Sequence, residues 1–512
     1  MRASLNRREV LAAGVAGTAA LWLPLPAGHA RRVTRPLAAD ATFPSGVASG
    51  EPSQHGITLW AQVGGLERTS RLLIEIARDP GFDRVVHRQG VLALAAHGYA
   101  AKTRIDSRRL KPGERYFYRF ASRAGSSPVG RFRTALPADS LEPQRVGFFS
   151  CQQWESGYFA SHAALAAEDC DLLVCLGDYI YENNGDKGLP GRADTSSTAE
   201  NGESETLEEY RAKYALYRSD PYLQALHASA PMLATWDDHE VENNHAGEHE
   251  GTTAGRRLPY LERRKNAYQV YFEQMPQRRI AGDRLYRRAR LGGLIDLLML
   301  DERQYRDEQP CDDRPILPCP ENTDPGRTML GPVQKAWLKR RLETSTAAWK
   351  LLGSSVEVMS WDSAPSAALN QDGWDGYQAE RREILEHAVA KGVEDIAVIT
   401  GDTHQFKSGQ VTTTGRVGGT PAGVEFVGGS VTSRCVEQLE QGGELANREM
   451  LAANPHWRFV NFQRRGHSVM DVSARELRVR FRSPTDATLP DAPIETLASF
   501  RVERGTPDVE RA

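Results

Sequence analysis

The sequence predicts an α/β domain preceded by a small all-β domain. Short runs rich in β-branched and aromatic residues, with turn residues between them, fill residues 41–135, a pattern typical of a fibronectin- or immunoglobulin-like β-sandwich. From residue 145 onward, apolar strands that end in polar residues alternate with helical patterns, as in an open α/β sheet. We place the small domain at residues 38–135 and the larger one at 145–505, which a chain of 512 residues accommodates.

Composition and charge exclude several classes of function. Hydrophobic residues make up 40% of the chain, charged residues 26%, and the net charge is −3, which is ordinary for a soluble globular protein. The chain lacks the basic excess of a nucleic-acid-binding protein. We therefore expect no specific nucleic-acid partner and no stable membrane span, and we expect a monomer.

The first thirty residues have the pattern of an export signal. Arg7 and Arg8 precede an apolar stretch at residues 11–25, and small residues follow at 28–30. A twin-arginine signal at residues 1–30 predicts passage through the twin-arginine export machinery and a periplasmic or secreted protein. The alternative is an N-terminal membrane anchor, for which the apolar stretch is short of the roughly 20 residues that span a bilayer.

Six cysteines remain to be explained. Cys311 and Cys319 flank a proline-rich loop, and we predict a disulfide between them, since disulfides are permitted outside the cytoplasm. Cys170 and Cys175 lie at the entry to and inside an apolar strand, so we expect buried thiols there.

The predicted elements follow in chain order. In the small domain, β-rich runs cover residues 57–60, 71–76, 116–120 and 132–134, before a linker at 135–139. In the larger domain, we expect strands at 145–149, 171–176, 231–235, 293–300, 349–353 and 395–400, helices at 158–168 and 255–277, and further strands at 469–472 and 477–481. Residues 183–225 are polar, and we expect a long loop with one helix there.

Polar side chains at the strand ends are the candidate site residues, because ligands of open α/β sheets bind outside the carboxyl ends of strands. Cys151 follows the first of these strands, and on its own it is equally a small core residue. Asp178 follows the second, in a Gly-Asp turn, with Tyr181 three residues on. Such a carboxylate can bridge two cations, and a phenolate favours a hard ion such as Fe(III). The alternative is a helix cap at Asp178 with the tyrosine in packing.

The densest polar segment follows the third strand. The ten residues 236–245 hold four acids, two histidines and two asparagines directly after an apolar strand, which favours metal ligation and acid–base chemistry. After a later strand, Asp402 and His404 are two residues apart, a spacing that can give one ligand to each of two ions, although a turn with an exposed histidine is the alternative. Together these strand ends predict a two-metal phosphoesterase, which needs a bridging carboxylate, an acid for the leaving group and positive charge on the phosphoryl oxygens.

These motifs resemble the PhoD-like (alkaline phosphatase D) phosphatases of the calcineurin-like metallophosphoesterase superfamily. The order and spacing of the motifs carry the resemblance over nearly the whole chain, namely residues 46–52, 150–151, 177–181, 236–240, 300–305 and 401–404. The resemblance implies a four-layer α/β/β/α sandwich behind the small β-domain. It also implies Fe(3+) and Ca(2+) as cofactors.

The resemblance further implies a role for each motif residue. The iron ligands would be Cys151, Asp178, Tyr181 and His404, with Asp178 bridging to calcium. Asp402 and Asn243 would be further calcium ligands, with Asp238 as the alternative to Asn243. An oxygen ligand at Asp402 favours calcium over zinc.

His239 would protonate the leaving oxygen during in-line attack on phosphorus. Arg264, with Arg263 next, is the predicted ligand of the phosphoryl oxygens, and a solvated helix face is the alternative for both arginines. The expected substrate is a small or polymeric phosphoester, hydrolysed as a monoester, with diester hydrolysis left open.

Two other functions are compatible with parts of the sequence. Related enzymes cleave phosphodiesters, including phospholipids and polymers, and the motifs do not separate monoesterase from diesterase activity. A non-enzymatic, calcium-stabilised surface protein is the alternative of a different class, but it needs no cysteine, tyrosine or histidine at successive strand ends. A serine- and zinc-based alkaline phosphatase is disfavoured because no nucleophilic serine motif with a matching metal set is present.

Overall fold

The structure is a computed structural model that describes residues 36–185, 191–196, 201–253, 255–314, 319–362 and 370–512. The predicted export signal at residues 1–30 lies outside these ranges. Within them, no helix has both the length and the apolar character needed to cross a bilayer.

The strands are numbered in chain order. They are β1 (Val47–Ser53), β2 (Gly56–Gln62), β3 (Ser70–Ala77), β4 (Val85–Ala93), β5 (Ala100–Asp106), β6 (Arg115–Ala121), β7 (Gly130–Arg133), β8 (Gln144–Phe149), β9 (Leu172–Leu176), β10 (Met232–Thr235), β11 (Arg287–Leu291), β12 (Ile295–Met299), β13 (Trp349–Ser354), β14 (Ile396–Thr400), β15 (Phe406–Thr412), β16 (Pro421–Gly428), β17 (Trp457–Asn461), β18 (His467–Val472), β19 (Glu476–Pro484), β20 (Ile494–Glu503) and β21 (Glu510–Arg511).

The α-helices are numbered in the same way. They are α1 (Ala160–Ala167), α2 (Leu207–Arg218), α3 (Pro221–Ser229), α4 (Tyr260–Gln274), α5 (Gly331–Thr344), α6 (Gln378–Ala390), α7 (Glu437–Gln441) and α8 (Gly443–Ala453).

The strands form two sheets. The larger sheet has the order β21-β20-β19-β18-β8-β9-β10-β1-β2-β5-β4-β3-β6-β7, and the smaller has the order β11-β12-β13-β14-β16-β15-β17. Strands β8, β9 and β10 are parallel in the first sheet, and β12, β13, β14 and β16 are parallel in the second. The carboxyl ends of each parallel set therefore lie along one edge of its sheet.

The apolar side chains of these strands divide between two faces. In β9, Leu172, Val174 and Leu176 belong to a core that also contains residues of the smaller sheet. Leu173 and Cys175 belong instead to a core shared with the helices α1–α4. A third core joins the outer face of the smaller sheet to α5, α6 and α8. The larger domain is thus layered as helices, sheet, sheet and helices, and burial on both faces explains why β9 reads as one continuous apolar run.

The small N-terminal domain has its own apolar core, built from strands β1–β7. It is not separate from the larger sheet, because β1 pairs in parallel with β10 at Gly50 and Met232. A side chain at Gly50 would place its Cβ 2.3 Å from the Pro276 carbonyl oxygen and 2.6 Å from that of Met232. Glycine at this position therefore permits the strand to join the sheet.

The segment at residues 183–225 differs from the prediction of one helix. The structure has two helices here, α2 and α3, separated at Ser219 and Asp220. The Asp220 carboxylate accepts hydrogen bonds from the backbone N–H groups of Tyr222 and Leu223, and Pro221 takes the first helical position. A new helix starts at this point because the capping carboxylate and the proline both favour a helix N-terminus.

Candidate active site

The predicted site residues lie in turns that directly follow parallel strands. Cys151 follows β8, Asp178 follows β9, Asp238 follows β10, and Asp402 and His404 follow β14. The first three strands belong to the larger sheet and β14 to the smaller one. The site therefore draws on both sheets.

Four of these residues have an unusual backbone conformation. The φ angles are +55° at Cys151, +52° at Asp178, +68° at Asp402 and +57° at His404. Non-glycine residues in this region cost about 1–3 kcal/mol each, and such residues cluster at functional sites. Sharp turns of this kind direct the side chains across the strand ends. This placement offsets the conformational cost of the positive φ angles.

A buried glutamate stabilises the turn that carries Asp178. The Glu240 carboxylate accepts hydrogen bonds from the backbone N–H groups of Asp178 at 3.1 Å, Tyr179 at 2.7 Å and Asp237 at 2.8 Å. At Gly177, with φ of +103°, an added Cβ would lie 2.4 Å from the Cβ of Asp237. The Gly-Asp pair therefore brings the turns after β9 and β10 into direct contact.

Cys151, Asp178 and His404 form the first group of potential metal ligands. Their ligand atoms lie within 4.8 Å of one another. The Tyr181 hydroxyl donates to Oδ2 of Asp178 at 2.8 Å and lies 3.1 Å from Nε2 of His404. Oδ1 of Asp178 is buried and has no hydrogen-bond partner among the described residues. A buried carboxylate oxygen without a donor is what a cation ligand requires.

The loop that follows β16 orients two members of this group. Nδ1 of His404 lies 2.7 Å from the Arg434 carbonyl oxygen, which leaves Nε2 facing Tyr181 and Asp178. Ser433 donates its hydroxyl to the Tyr181 oxygen at 2.7 Å, and the Cys151 carbonyl oxygen lies 2.8 Å from the same hydroxyl. The sequence analysis missed Ser433, because no pattern links residue 433 to a tyrosine 252 positions earlier.

The chemistry of this group suits a cation. Burial raises the pKa of the Cys151 thiol well above its ordinary value, and the Asp178 charge adds to the effect. Burial and Asp178 also raise the pKa of the Tyr181 phenol well above its ordinary value. Both groups are protonated unless a cation stabilises the thiolate and the phenolate, so a cation and these side chains fit each other.

Asp178, Asp238 and His239 form a second group within 4.8 Å. Oδ1 of Asp238 accepts from the His239 backbone N–H at 2.9 Å, and Oδ2 accepts from that of Asn244 at 2.8 Å. Of the two adjacent asparagines, Asn244 is thus the one whose backbone N–H binds Asp238. The Asn243 amide donates to the Thr252 hydroxyl at 2.8 Å, and its role as a metal ligand stays a prediction.

His239 is held by a buried carboxylate. Nδ1 of His239 lies 2.7 Å from Oε2 of Glu182, and its ring stacks on Tyr181 with centroids 4.0 Å apart. Burial opposes the charged imidazole, but Glu182, Asp238 and Asp178 outweigh burial and raise the pKa of His239 well above its usual value. These carboxylates thus favour the imidazolium form of His239, which can donate a proton from Nε2.

Arg303 is the central cation of the site, and the sequence analysis gave it no role. Its Nε lies 2.6 Å from Asp237, and its other nitrogens bind Asp372 at 2.9 and 2.7 Å. Asp238 and Asp402 lie 3.9 and 4.0 Å away. The guanidinium is fully buried. Four carboxylates packed together need such a counterion, and the three of them that follow strands were the available signal for an arginine in residues 300–305.

The pKa values of the acids near Arg303 are shifted in opposite directions. Burial disfavours the charge of Asp372, but Arg303 and Arg306 outweigh it and lower the pKa of Asp372 to about 2. Burial and the nearby Asp237 raise the pKa of Asp402 well above its ordinary value. Arginines thus balance the negative charge of Asp372. The charge of Asp402 is not balanced in this way, as expected of a cation ligand.

The two predicted phosphate-binding arginines differ. Arg263 is fully buried, and its nitrogens bind Glu242 at 2.6 Å, Glu203 at 2.7 Å and the Tyr210 hydroxyl at 3.0 Å. This geometry argues against the prediction for Arg263, because its donors are already used inside the protein. Arg264 is partly buried and donates to the Gly247 carbonyl oxygen.

The predicted disulfide pair lies beside this region. Cys311 and Cys319 are joined by a disulfide. Residues 311–313 have φ angles of +57°, +55° and +54°, and Asp313 accepts a hydrogen bond from the Asn244 amide. The disulfide-bearing segment therefore supports the residue that binds Asp238.

Comparisons with known proteins identify the family of this chain. The model of the PhoD-like phosphatase family matches residues 146–481, and that of the PhoD-like phosphatase N-terminal domain matches residues 28–136. The chain is 34% identical to alkaline phosphatase D of Bacillus subtilis (strain 168) over 482 residues, covering 90% of this chain and 80% of the relative.

Solved structures give the same result. The structure of PhoD is similar with a TM-score of 0.84 and 32% identity, covering 93% of both chains. Purple acid phosphatase PPD1 from yellow lupin (Lupinus luteus) seeds has a TM-score of 0.56 and 13% identity, covering 90% of this chain and 74% of that one, which shows a shared fold alone. The family matches and the identity to alkaline phosphatase D show that this chain belongs to the PhoD-like phosphatase family and is a phosphoric ester hydrolase.

Proposed function

We propose that this chain is an exported phosphoesterase that holds Fe(3+) and Ca(2+) and hydrolyses phosphate monoesters, and diesters as well. The observation that carries the proposal is the convergence of Cys151, Asp178 and His404 within 4.8 Å, beside the hydroxyl of Tyr181. A buried thiol, phenol and carboxylate beside a partly exposed imidazole are an unusual set for structural purposes, but they suit a trivalent iron.

The donor set divides between two ions. Cys151, Asp178, Tyr181 and His404 would hold iron, and Asp178 would bridge to calcium. Asp238, Asp402 and Asn243 would complete the calcium ligands, because carboxylate and amide oxygens suit this cation. When bound, the two ions supply Lewis-acid stabilisation of the phosphoryl oxygens and a nucleophilic hydroxide.

The side chains supply the remaining steps. His239 donates a proton to the leaving oxygen, and Glu182 holds its ring in place through Nδ1 at 2.7 Å. Arg264 is proposed to bind a phosphoryl oxygen, because it is partly buried and lies one residue from the buried Arg263 network. Arg303 keeps the acidic residues together through Asp237 and Asp372.

Two finer assignments belong to the proposal. The N-terminal strands group as β1-β2-β5 and β4-β3-β6-β7 around one core, which supports a β-sandwich of fibronectin type. The Arg7–Arg8 pair supports export by the twin-arginine route, with a periplasmic or secreted location.

The test is elemental analysis of purified exported protein, together with hydrolysis of 4-nitrophenyl phosphate and bis(4-nitrophenyl) phosphate. We expect iron and calcium in the native protein, and we expect Asp178→Asn to lose metal and to lower kcat for both esters by at least about 10²-fold. Asp139→Asn, at an exposed position, is the matched control. An active protein without bound metal would overturn the proposal.

A further inference from the structure

A cavity of about 400 Å³ lies next to the candidate active site, in the size range of small-molecule pockets. We call it the arginine pocket, because Arg434, Arg464 and Arg465 line it. The other lining residues are Ser156, Thr432, Glu440, Gln463, Pro484, Thr485, Asp486, Ala487 and Thr488. None of these residues belongs to the proposed metal-binding groups.

The pocket and the active site share a wall. Thr432 and Arg434 line the pocket, and Ser433 between them donates to the hydroxyl of Tyr181. The same short segment is fixed to Cys151, whose carbonyl oxygen accepts from the backbone N–H groups of Thr432 at 3.4 Å and Ser433 at 3.2 Å. Nδ1 of His404 lies 2.7 Å from the carbonyl oxygen of Arg434, so a residue of the pocket wall contacts a proposed iron ligand directly.

Carboxylates pair with two of the three arginines, since Glu440 binds Arg465 and Glu495 binds Arg464, and Asp486 also lines the pocket. Glu440 is shared by two arginines, binding Arg465 at 2.8 Å and lying 3.6 Å from Nε of Arg434. The side chain of Arg434 is 48% exposed. Among the described residues, its guanidinium has no hydrogen bond, so its terminal nitrogens are available to a ligand.

The floor of the pocket is rigid. The Arg465 side chain is only 7% exposed, and its nitrogens bind the carbonyl oxygens of Phe462 and Arg464 as well as Glu440. Arg464 donates to the Ser483 hydroxyl and the Pro484 carbonyl, both at 3.0 Å. The two fixed arginines shape the pocket, and the exposed Arg434 is the cation available to an anionic group in this concave site.

We propose that the arginine pocket binds a second anionic group, a phosphate or a carboxylate, that the phosphoester substrate carries away from its reacting phosphorus. The inference rests on the proposed function, since it makes Arg434 a specificity-determining residue for substrates with two anionic groups. A free anion offers the same chemistry, and the experiment distinguishes it from a group attached to the substrate.

The experiment compares hexanediol bisphosphate with hexanediol monophosphate as substrates of the native enzyme and of Arg434→Gln. A charged hydrogen bond changes affinity by about 10-fold or more. We expect the bisphosphate to have a kcat/KM at least about 10-fold higher in the native enzyme, and Arg434→Gln to reduce this ratio to about the factor of 2 that two equivalent phosphates provide. Arg448→Gln, an exposed arginine of α8 outside the pocket, is the control and leaves the ratio as in the native enzyme.

Three results would overturn the inference. The first is a ratio near 2 in the native enzyme, and the second is a ratio that Arg434→Gln does not change while the melting temperature stays native. The third is an Arg434-dependent effect of added sulfate on monophosphate hydrolysis, which would assign the pocket to a free anion. Failure of the native enzyme to hydrolyse hexanediol monophosphate at all would instead contradict the proposed function.

Discussion

Oε2 of Glu182 lies 2.7 Å from Nδ1 of His239 beside the turn of Asp178, with the Glu182 side chain buried and that of His239 partly buried. Asn243 donates its backbone N–H to the other oxygen of the same carboxylate at 3.1 Å. Glu182 therefore has a fixed position, and it holds the imidazole with its second nitrogen directed away from the carboxylate.

His239→Gln is expected to lower kcat for an alkyl phosphate by about 10²–10⁴-fold, the usual contribution of a general acid. The loss is smaller with 4-nitrophenyl phosphate, because a good leaving group needs little protonation. Glu182→Gln is expected to lower kcat by less, and again more for the alkyl phosphate than for 4-nitrophenyl phosphate. Because the Glu182 charge raises the pKa of His239, its removal moves the alkaline limb of kcat to lower pH. Exposed Glu248→Gln is the control, and equal losses for both leaving groups would contradict the role of His239.

Arg303→Met is expected to destabilise the fold by about 3–5 kcal/mol, the usual effect of removing one partner of a buried ion pair. The variant leaves Asp237 buried without its counterion and leaves Asp372 with Arg306 alone. We expect a larger loss of melting temperature in chelator than in calcium, since bound cations replace part of the missing charge. Arg68→Met, at an exposed position, serves as the comparison. An unchanged melting temperature in Arg303→Met would show that the network contributes no stability.

Tyr181→Phe is expected to abolish a visible phenolate-to-iron absorption band in protein that contains about one iron per chain. The Tyr181 hydroxyl lies beside Asp178 and His404. Tyr179→Phe is the matched control, because its hydroxyl is buried against His227 at 2.7 Å, away from the cluster. Absorption spectra and elemental analysis of both variants decide the matter, and zinc or manganese without colour would refute the iron assignment.

His467→Gln is expected to reduce the acid sensitivity of the fold. Both ring nitrogens of His467 are buried without hydrogen-bond partners among the described residues. Burial, with Arg482 and Arg480 nearby, lowers the pKa of His467 to about 3. The unfolded chain binds this proton below about pH 6.5, so stability is lost as the pH falls from about 6.5 towards 3.

Melting temperatures of native protein and His467→Gln between pH 4 and pH 8 test this linkage. The native protein should lose more stability than the variant on the acid side, by an amount on the order of a few kcal/mol. His249→Gln, at an exposed position, should follow the native curve. Parallel curves for native protein and His467→Gln would exclude the contribution of His467.

Loss of the disulfide in a Cys311→Ser and Cys319→Ser double variant is expected to cost about 2–3 kcal/mol, the loop-closure value for a short loop. The adjoining Asp313 binds Asn244, which in turn donates to Asp238, so we also expect weaker calcium dependence of activity. Melting curves with and without reducing agent measure the stability. Native protein in reducing agent should match the variant, and a variant with unchanged calcium dependence would separate this loop from the site.

Much of the fold was accessible from local pattern. The apolar run of β9 predicted a buried strand, which the structure buries on both faces, and the turn at Gly177 and Asp178 follows it as expected. The single helix predicted in residues 183–225 was wrong because Asp220 and Pro221 start a second helix after only two non-helical residues. The prediction of a separate small domain left out its pairing with the larger sheet. That pairing joins Gly50 to Met232, which are far apart in the chain.

The sequence by itself determined which chemistry this protein can offer, because strand periodicity and turn residues are local and place Cys151, Asp178, His239 and His404 at strand ends. Only the tertiary structure decided which side chains face one another. It removed Arg263 from the site by pairing it with Glu242 and Glu203. It also introduced Arg303, Glu182 and Ser433 as partners of the site residues. The physical reason is that hydrogen bonds and ion pairs act over a few ångströms in space. The fold brings together residues that are far apart in the chain, and no periodic pattern in the sequence marks such pairs.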